Sequence, residues 1–177
     1  NAFKEAVAGI EDKSNTEIVA VGRKTDAFFR NRDYEVAKSY IGISERPSYD
    51  DAREIAVDLI SRFVSGEVKE ISMVYTRFVS AISCVPETVK LLPFGNLAGQ
   101  GGTHAEYIYE PDAQSVLGYM LPQYLVTTIY AALLQAAASE LSSRMNSMSN
   151  ATDNAQELIA KLDLHYNKVR QAGITRE

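Results

Sequence analysis

An acid–base or nucleophilic centre needs a nucleophile, a base within hydrogen-bond reach and a group that orients the base. In this chain of 177 residues the candidates are His104, His165, the single cysteine Cys84, and carboxylates that fall mostly on the outer faces of predicted helices. His104 follows a glycine-rich stretch and His165 sits beside an apolar helical stripe. Neither has an obvious catalytic partner in the sequence, and both read as ordinary surface or packed histidines. The glycine-rich stretch, Phe94-Gly-Asn-Leu-Ala-Gly-Gln-Gly-Gly-Thr103, invites a search for a nucleotide site. A phosphate-cradling loop needs Gly-Lys-Ser/Thr at the opening of a helix, so that amides, ammonium and hydroxyl converge on the phosphates. Here Gly102 is followed by Thr103 and His104, without the lysine. A flexible loop is the expectation, and no cofactor is implied. One cysteine excludes an intrachain disulfide and a cysteine metal cluster, and Cys84 reads as a small buried hydrophobe. Asn150-Ala151-Thr152 has the form of a glycosylation sequon. Without a secretion signal it reads as a chance match.

Polar side chains that bind rather than react are the remaining possibility. Glu140 and Arg144 stand four residues apart, the favourable order for a helical ion pair, and Arg170, Gln171 and Thr175 cluster near the end of the chain. By residue type alone they read as a solvated face.

The element that must position them is the clearest in the sequence. Leu141, Met145, Met148, Thr152, Ala155, Ile159, Leu162, Tyr166, Val169 and Gly173 step by four and three for about five heptads, the pattern of a helix buried along one edge against a partner helix. No other predicted helix in the chain is long enough to face it. From Gln123 onward there is no proline, and a helix of about 55 residues extends about 80 Å. Residues 146–154 are rich in Asn, Ser, Thr and Asp, which compete with the backbone for hydrogen bonds and lower helix propensity. The seam nevertheless keeps its phase through them, and a continuous helix is predicted. Met145 and Met148 then read as seam packing rather than as a soft binding surface.

Upstream, residues 3–13 place Phe3, Ala6, Val7 and Ile10 on one helical face. Residues 17–24 read as a buried strand, a short helix capped by Thr25 follows, and residues 34–43 form a second strand. Ser48 with Asp50 and Asp51 marks a helix start, and Ala52, Ile55, Ala56, Leu59, Ile60 and Phe63 form its apolar stripe up to Gly66. Residues 68–79 and 86–94 read as strands. Asp112 opens the final helical tract, with Pro122 either in its first turn or at a kink. Strands separated by helices favour an α/β fold with a parallel sheet covered on both faces. The division is a globular domain over residues 1–111 and a helical tract over 112–177, packed on that domain at its start.

Composition narrows the function. The chain is 46% hydrophobic and 23% charged, with net charge -5 and a pI near 5.2. There is no Lys/Arg stripe to neutralise a phosphate backbone, so nucleic acid is not an expected partner. No uninterrupted apolar run reaches the roughly 18 residues of a membrane span, so direct insertion is not expected either. A start without Met, at Asn1-Ala2, reads as an excised fragment.

Read as a string, residues 139–177 carry more than a heptad pattern. They contain Ser139-Glu140, Arg144-Met145, Met148, Ala151-Thr152 with Asn154-Ala155, Leu158-Ile159, Tyr166-Asn167-Lys168, Arg170-Gln171-Ala172, Ile174-Thr175 and Glu177 at unbroken spacing. This segment resembles the C-terminal helix of the gamma subunit of the rotary ATP synthase. Leu91-Leu92-Pro93 and Tyr109-Glu110-Pro111 also resemble that family, and the first hundred residues do so in order of elements. The resemblance implies a Rossmann-like, mostly parallel sheet flanked by helices, followed by a long coiled-coil helix. The N-terminal shaft helix and the C-terminal tip of the family are then expected to lie outside this sequence. It implies a central-stalk rotor subunit of a proton-transporting ATP synthase, without a catalytic site of its own. Such a subunit couples rotation of the membrane ring to the beta-subunit sites. The implied partners are the alpha and beta subunits, the epsilon subunit, the rotor ring and the missing N-terminal gamma helix. The implied location is the cytoplasmic face of a bacterial plasma membrane, as a peripheral subunit. Arg144, Arg170, Gln171 and Thr175 match family positions that touch the alpha/beta hexamer. The competing readings are a small nucleotide-binding α/β enzyme using the loop at residues 95–102, and a scaffold that dimerises through its helix.

Overall fold

The computed structural model describes residues 2–10, 12–94 and 112–175. Two compact units divide at Ser139: residues 1–139 and residues 140–177.

The first unit opens with α1 (Ala2–Ala8), shorter than the apolar periodicity suggested, and a 3-10 turn at Lys13–Asn15. Asp12 starts that turn by accepting from the Ser14 amide at 3.0 Å. Strand β1 (Glu17–Val21), helix α2 (Arg23–Arg30) and strand β2 (Glu35–Tyr40) follow, and β1 pairs parallel with β2 from Glu17 opposite Glu35 to Val21 opposite Tyr40. A parallel pair needs a crossover, which α2 supplies. That helix starts two residues before the predicted Thr25 cap, because Gly22 makes the turn. Gly22 adopts φ +97, and an added Cβ would meet Ser44 Oγ at 2.9 Å. Phe29 of α2 is buried, with Tyr34 edge-on at 5.4 Å and Phe3 of α1 stacked on Phe28 at 4.5 Å.

Helix α3 (Tyr49–Val64) forms where the sequence placed it. Its start is a complete capping box: Ser48 accepts from the Asp51 amide at 3.1 Å, while the Ser48 amide donates to Asp51 Oδ2 at 2.9 Å. The hydrogen bond from the Ser48 side chain, then that from its backbone, holds the Asp51 carboxyl below its ordinary value. A carboxyl lowered in the folded state stabilises the fold above the ordinary carboxylate range and loses that contribution as pH falls through it. Ser48→Ala is expected to cost about 1 kcal/mol at neutral pH through loss of the cap. The difference between variant and parent should shrink on acidification, which thermal melts at neutral and acidic pH will show.

Strands β3 (Ile71–Ser80) and β4 (Ser83–Leu92) are antiparallel, from Ile71 opposite Leu92 to Ser80 opposite Ser83. The two-residue connection permits only a hairpin. The α/β class with a parallel pair, flanking helices and a long terminal helix holds, with this hairpin as the added detail.

Helix α4 (Ala113–Ile174) is continuous through both Pro122 and the polar segment 146–154. Asp112 caps it, accepting from the Ser115 amide at 2.8 Å. Pro122 therefore lies inside the helix rather than in its first turn. Its ring takes the place of an amide hydrogen and so removes the helical hydrogen bond to the Gly118 carbonyl. Leu125, Val126 and Ile129 of α4 join Ile55, Ala56 and Leu59 of α3, Tyr40 of β2, Ile43 just after it, and Leu91 and Leu92 of β4 in one core. Ser139 closes the packed stretch, 3% exposed, its hydroxyl donating to the Thr76 carbonyl at 3.3 Å. An 18-residue window of α4 reaches a mean hydropathy of 1.3, enough by length and composition to cross a membrane although no uninterrupted apolar run does. Leu125, Val126 and Ile129 of α4 are buried in the core and Ala132 is also buried, while 22% of that window is buried in all.

Candidate interaction surface on the terminal helix

In residues 140–175 no seam residue is covered. Leu141, Met145, Met148, Ile159, Leu162, Tyr166 and Val169 are 56–66% exposed, and Thr152, Ala155 and Gly173 are exposed with them. An isolated helix cannot hide its own stripe, so this apolar edge is presented whole. Local hydrogen bonds engage hydroxyls of the polar segment: Ser147 Oγ donates to the Ser143 carbonyl and Thr152 Oγ1 to that of Met148, each at 2.9 Å. Both hydroxyls are satisfied within the helix, by bonds to i−4 carbonyls that add little to its stability.

Heptad geometry sorts the four polar candidates into two kinds. With the seam residues as the inner positions, Arg144 and Arg170 fall at flanking positions on opposite sides of it, while Gln171 and Thr175 fall on the outer face. Arg144 and Arg170 are separated by about 39 Å at 1.5 Å per residue, so they form no single patch. Arg144 Nη2 lies 2.9 Å from Glu140 Oε1, the i,i+4 pair read from the sequence. Both side chains are half exposed, and such a pair contributes only about 0.3–0.5 kcal/mol. The guanidinium is thus held in one orientation without being withdrawn from solvent. Thr175 Oγ1 donates to the Gln171 carbonyl at 2.8 Å. Periodicity did not single out Leu164, which is 73% exposed and on the outer face. A second apolar signal opposite a strong seam is easily passed over, because one buried edge already accounts for the helix.

The chemical candidates do not converge. His165 is exposed on α4 and Cys84 is half-buried on β4. Among the described residues no group of His, Cys, Asp and Glu could hold a metal ion. His104, Tyr109-Glu110-Pro111 and the loop at residues 95–102 lie outside the described residues.

Comparison with known proteins gives the long helix and the α/β unit a common origin. The profile of the family described as ATP synthase matches residues 1–177. The ATP synthase gamma chain of Desulforamulus reducens is 41% identical over 178 residues, covering 100% of this chain and 63% of that one. That of Moorella thermoacetica is 44% identical over 167 residues, covering 94% of this chain and 59% of that one. The chain therefore spans about three fifths of the length of these curated relatives. Among solved structures, the central stalk and c-ring of the Tetrahymena thermophila mitochondrial ATP synthase contains a similar chain. Its TM-score is 0.68 at 26% identity, covering 85% of this chain and 67% of that one. A profile matched from first residue to last, relatives above 40% identity and a stalk structure of the same fold agree: this chain belongs to the gamma-chain family of ATP synthases.

Proposed function

We propose that the chain is a central-stalk rotor segment of a bacterial proton-transporting ATP synthase, with no catalytic site of its own. The observation that carries this reading is the exposed 4-3 seam, an apolar edge sustained over about five heptads on a helix whose own chain leaves it uncovered. A second gamma helix packs along Leu141, Met145, Met148, Ala155, Ile159, Leu162, Tyr166 and Val169, and the pair forms a shaft stiff enough to transmit torque. Arg144, Arg170, Gln171 and Thr175 contact the alpha/beta hexamer from the flanks and outer face, and Leu164 adds an apolar bearing point there. A shaft drives a site only through contacts that differ between that site's states. Two flanking arginines on opposite sides give the surface the asymmetry this needs. The globular unit, residues 1–111 with the opening of the helical tract packed on it, docks the epsilon subunit and the rotor ring. The assembly is peripheral, on the cytoplasmic face of the plasma membrane, in keeping with the bacterial relatives.

The test is to supply the N-terminal helix of a gamma chain as a peptide. At a concentration about 100 times its Kd it should stabilise the chain by about 2.7 kcal/mol. Circular dichroism of thermal unfolding will read this as a raised midpoint, and an unchanged midpoint at saturating peptide counts against the shaft. Specific binding of ATP or NAD by calorimetric titration would instead favour a nucleotide-dependent enzyme.

A further inference from the structure

Helix α3 buries its apolar stripe and leaves two valines outside it. Ala52, Ile55, Ala56 and Leu59 are buried. On a neighbouring face, with Arg53, Val57 is 59% and Val64 78% exposed, while Ile60 lies at the border, partly buried against the core. A β-branched residue at an exposed helical position lowers helix propensity relative to Ala, so solvation alone gives no reason for two valines there. Facing them, the opening turns of α4 present Tyr119, 79% exposed. Between the helices lies a groove of about 470 Å³, lined among others by Arg53, Val57, Ile60, Tyr119, Pro122 and Gln123. One wall is fixed by Gln123 Nε2 donating to the Tyr49 hydroxyl, and the Tyr49 ring packs edge-on to Tyr130 at 5.9 Å. Arg53 stands at the rim and makes no ion pair among the described residues.

We propose that this α3–α4 groove docks an amphipathic helix of another polypeptide. Aliphatic residues at i, i+4 and i+7 of that helix enter between Val57, Ile60 and Tyr119, and a carboxylate one turn earlier faces Arg53. Two helical walls suit a third helix better than an extended strand, because they offer no unpaired backbone edge to pair with. A guanidinium with no ion-pair partner among the described residues, at the rim of the groove, sets the sign of the charge that meets it locally. The seam is a separate surface, and the groove does not depend on the role proposed for it.

A fluorescently labelled helical peptide with Leu at i, i+4 and i+7 and Glu one turn earlier, titrated into the full chain, tests this by anisotropy. Saturable binding is expected, weakened about tenfold or more by Val57→Asp and by Arg53→Glu. Replacing the peptide's Glu by Lys should restore binding to the Arg53→Glu protein. Because Leu at i, i+4 and i+7 also fits the exposed seam, the titration is repeated with Leu162→Asp in place, where saturable binding should persist and Val57→Asp should still weaken it. No saturable binding, loss through Leu162→Asp but not Val57→Asp, or failure of the charge reversal to rescue would overturn the proposal. Both α3 substitutions are at exposed positions, and circular dichroism will confirm that each variant is folded.

Discussion

Leu125→Ala is expected to destabilise the first unit by about 2–5 kcal/mol, the range for emptying a well-packed leucine site. Leu125 is 1% exposed and lies in the cluster where α3, β4 and α4 meet. Ala52 and Ala56 on α3 are fully buried, so the helix backbone is already drawn in close and has little freedom to collapse into a new void. That argues for the upper half of the range. A whole domain of this size is stable by only about 5–15 kcal/mol, so the loss is a large part of the total. Urea unfolding followed by far-UV circular dichroism should show a lower midpoint with an unchanged slope. A loss below about 1 kcal/mol would mean that α4 is not an integral part of this core.

The double substitution Ile159→Asp with Leu162→Asp is expected to do the opposite: almost nothing to the isolated chain, and a severe loss of assembly. Both side chains are more than half exposed, so the stability of the chain alone should change by less than about 0.5 kcal/mol. In the proposed shaft each becomes buried. Losing one such apolar contact costs about 1.5–3 kcal/mol, and placing an unpaired carboxylate there adds a further penalty. Two positions together should weaken association with the second gamma helix by at least about 100-fold, since each 1.4 kcal/mol is tenfold. Titration of the peptide against the variant measures this directly. Equal affinity for variant and parent would remove the seam from the interface, whatever the folded state of the chain. The pair of substitutions thus separates a residue that holds the fold from one that waits for a partner, although both are apolar residues at helical spacing.

That separation marks the limit of what periodicity conveys. The stripe of α3 at Ala52, Ile55, Ala56 and Leu59 and the seam of α4 look alike in the sequence, and each was legible as a helix with one apolar edge. The capping box at Ser48 was equally legible, because a cap is a contact between residues three apart. Hairpin pairing of β3 with β4 was not, since β-rich composition fades after Val79 and returns only at Pro86, which hides the two-residue turn. The cap of α2 lies three residues before Thr25 because a positive φ at Gly22, not a capping hydroxyl, starts the helix.

By itself, the sequence determined the elements whose causes are local: the phase of the seam, the continuity of α4 through its polar segment, the cap of α3, and the segment at residues 139–177 that resembles the gamma family. Only the tertiary structure decided which apolar edges are covered. Burial depends on neighbours distant in the chain, so Leu125 and Ile129 found them in α3 and β4 while Ile159 and Leu162 found none. Val57 and Val64 on α3, which the spacing left off the stripe, are indeed exposed.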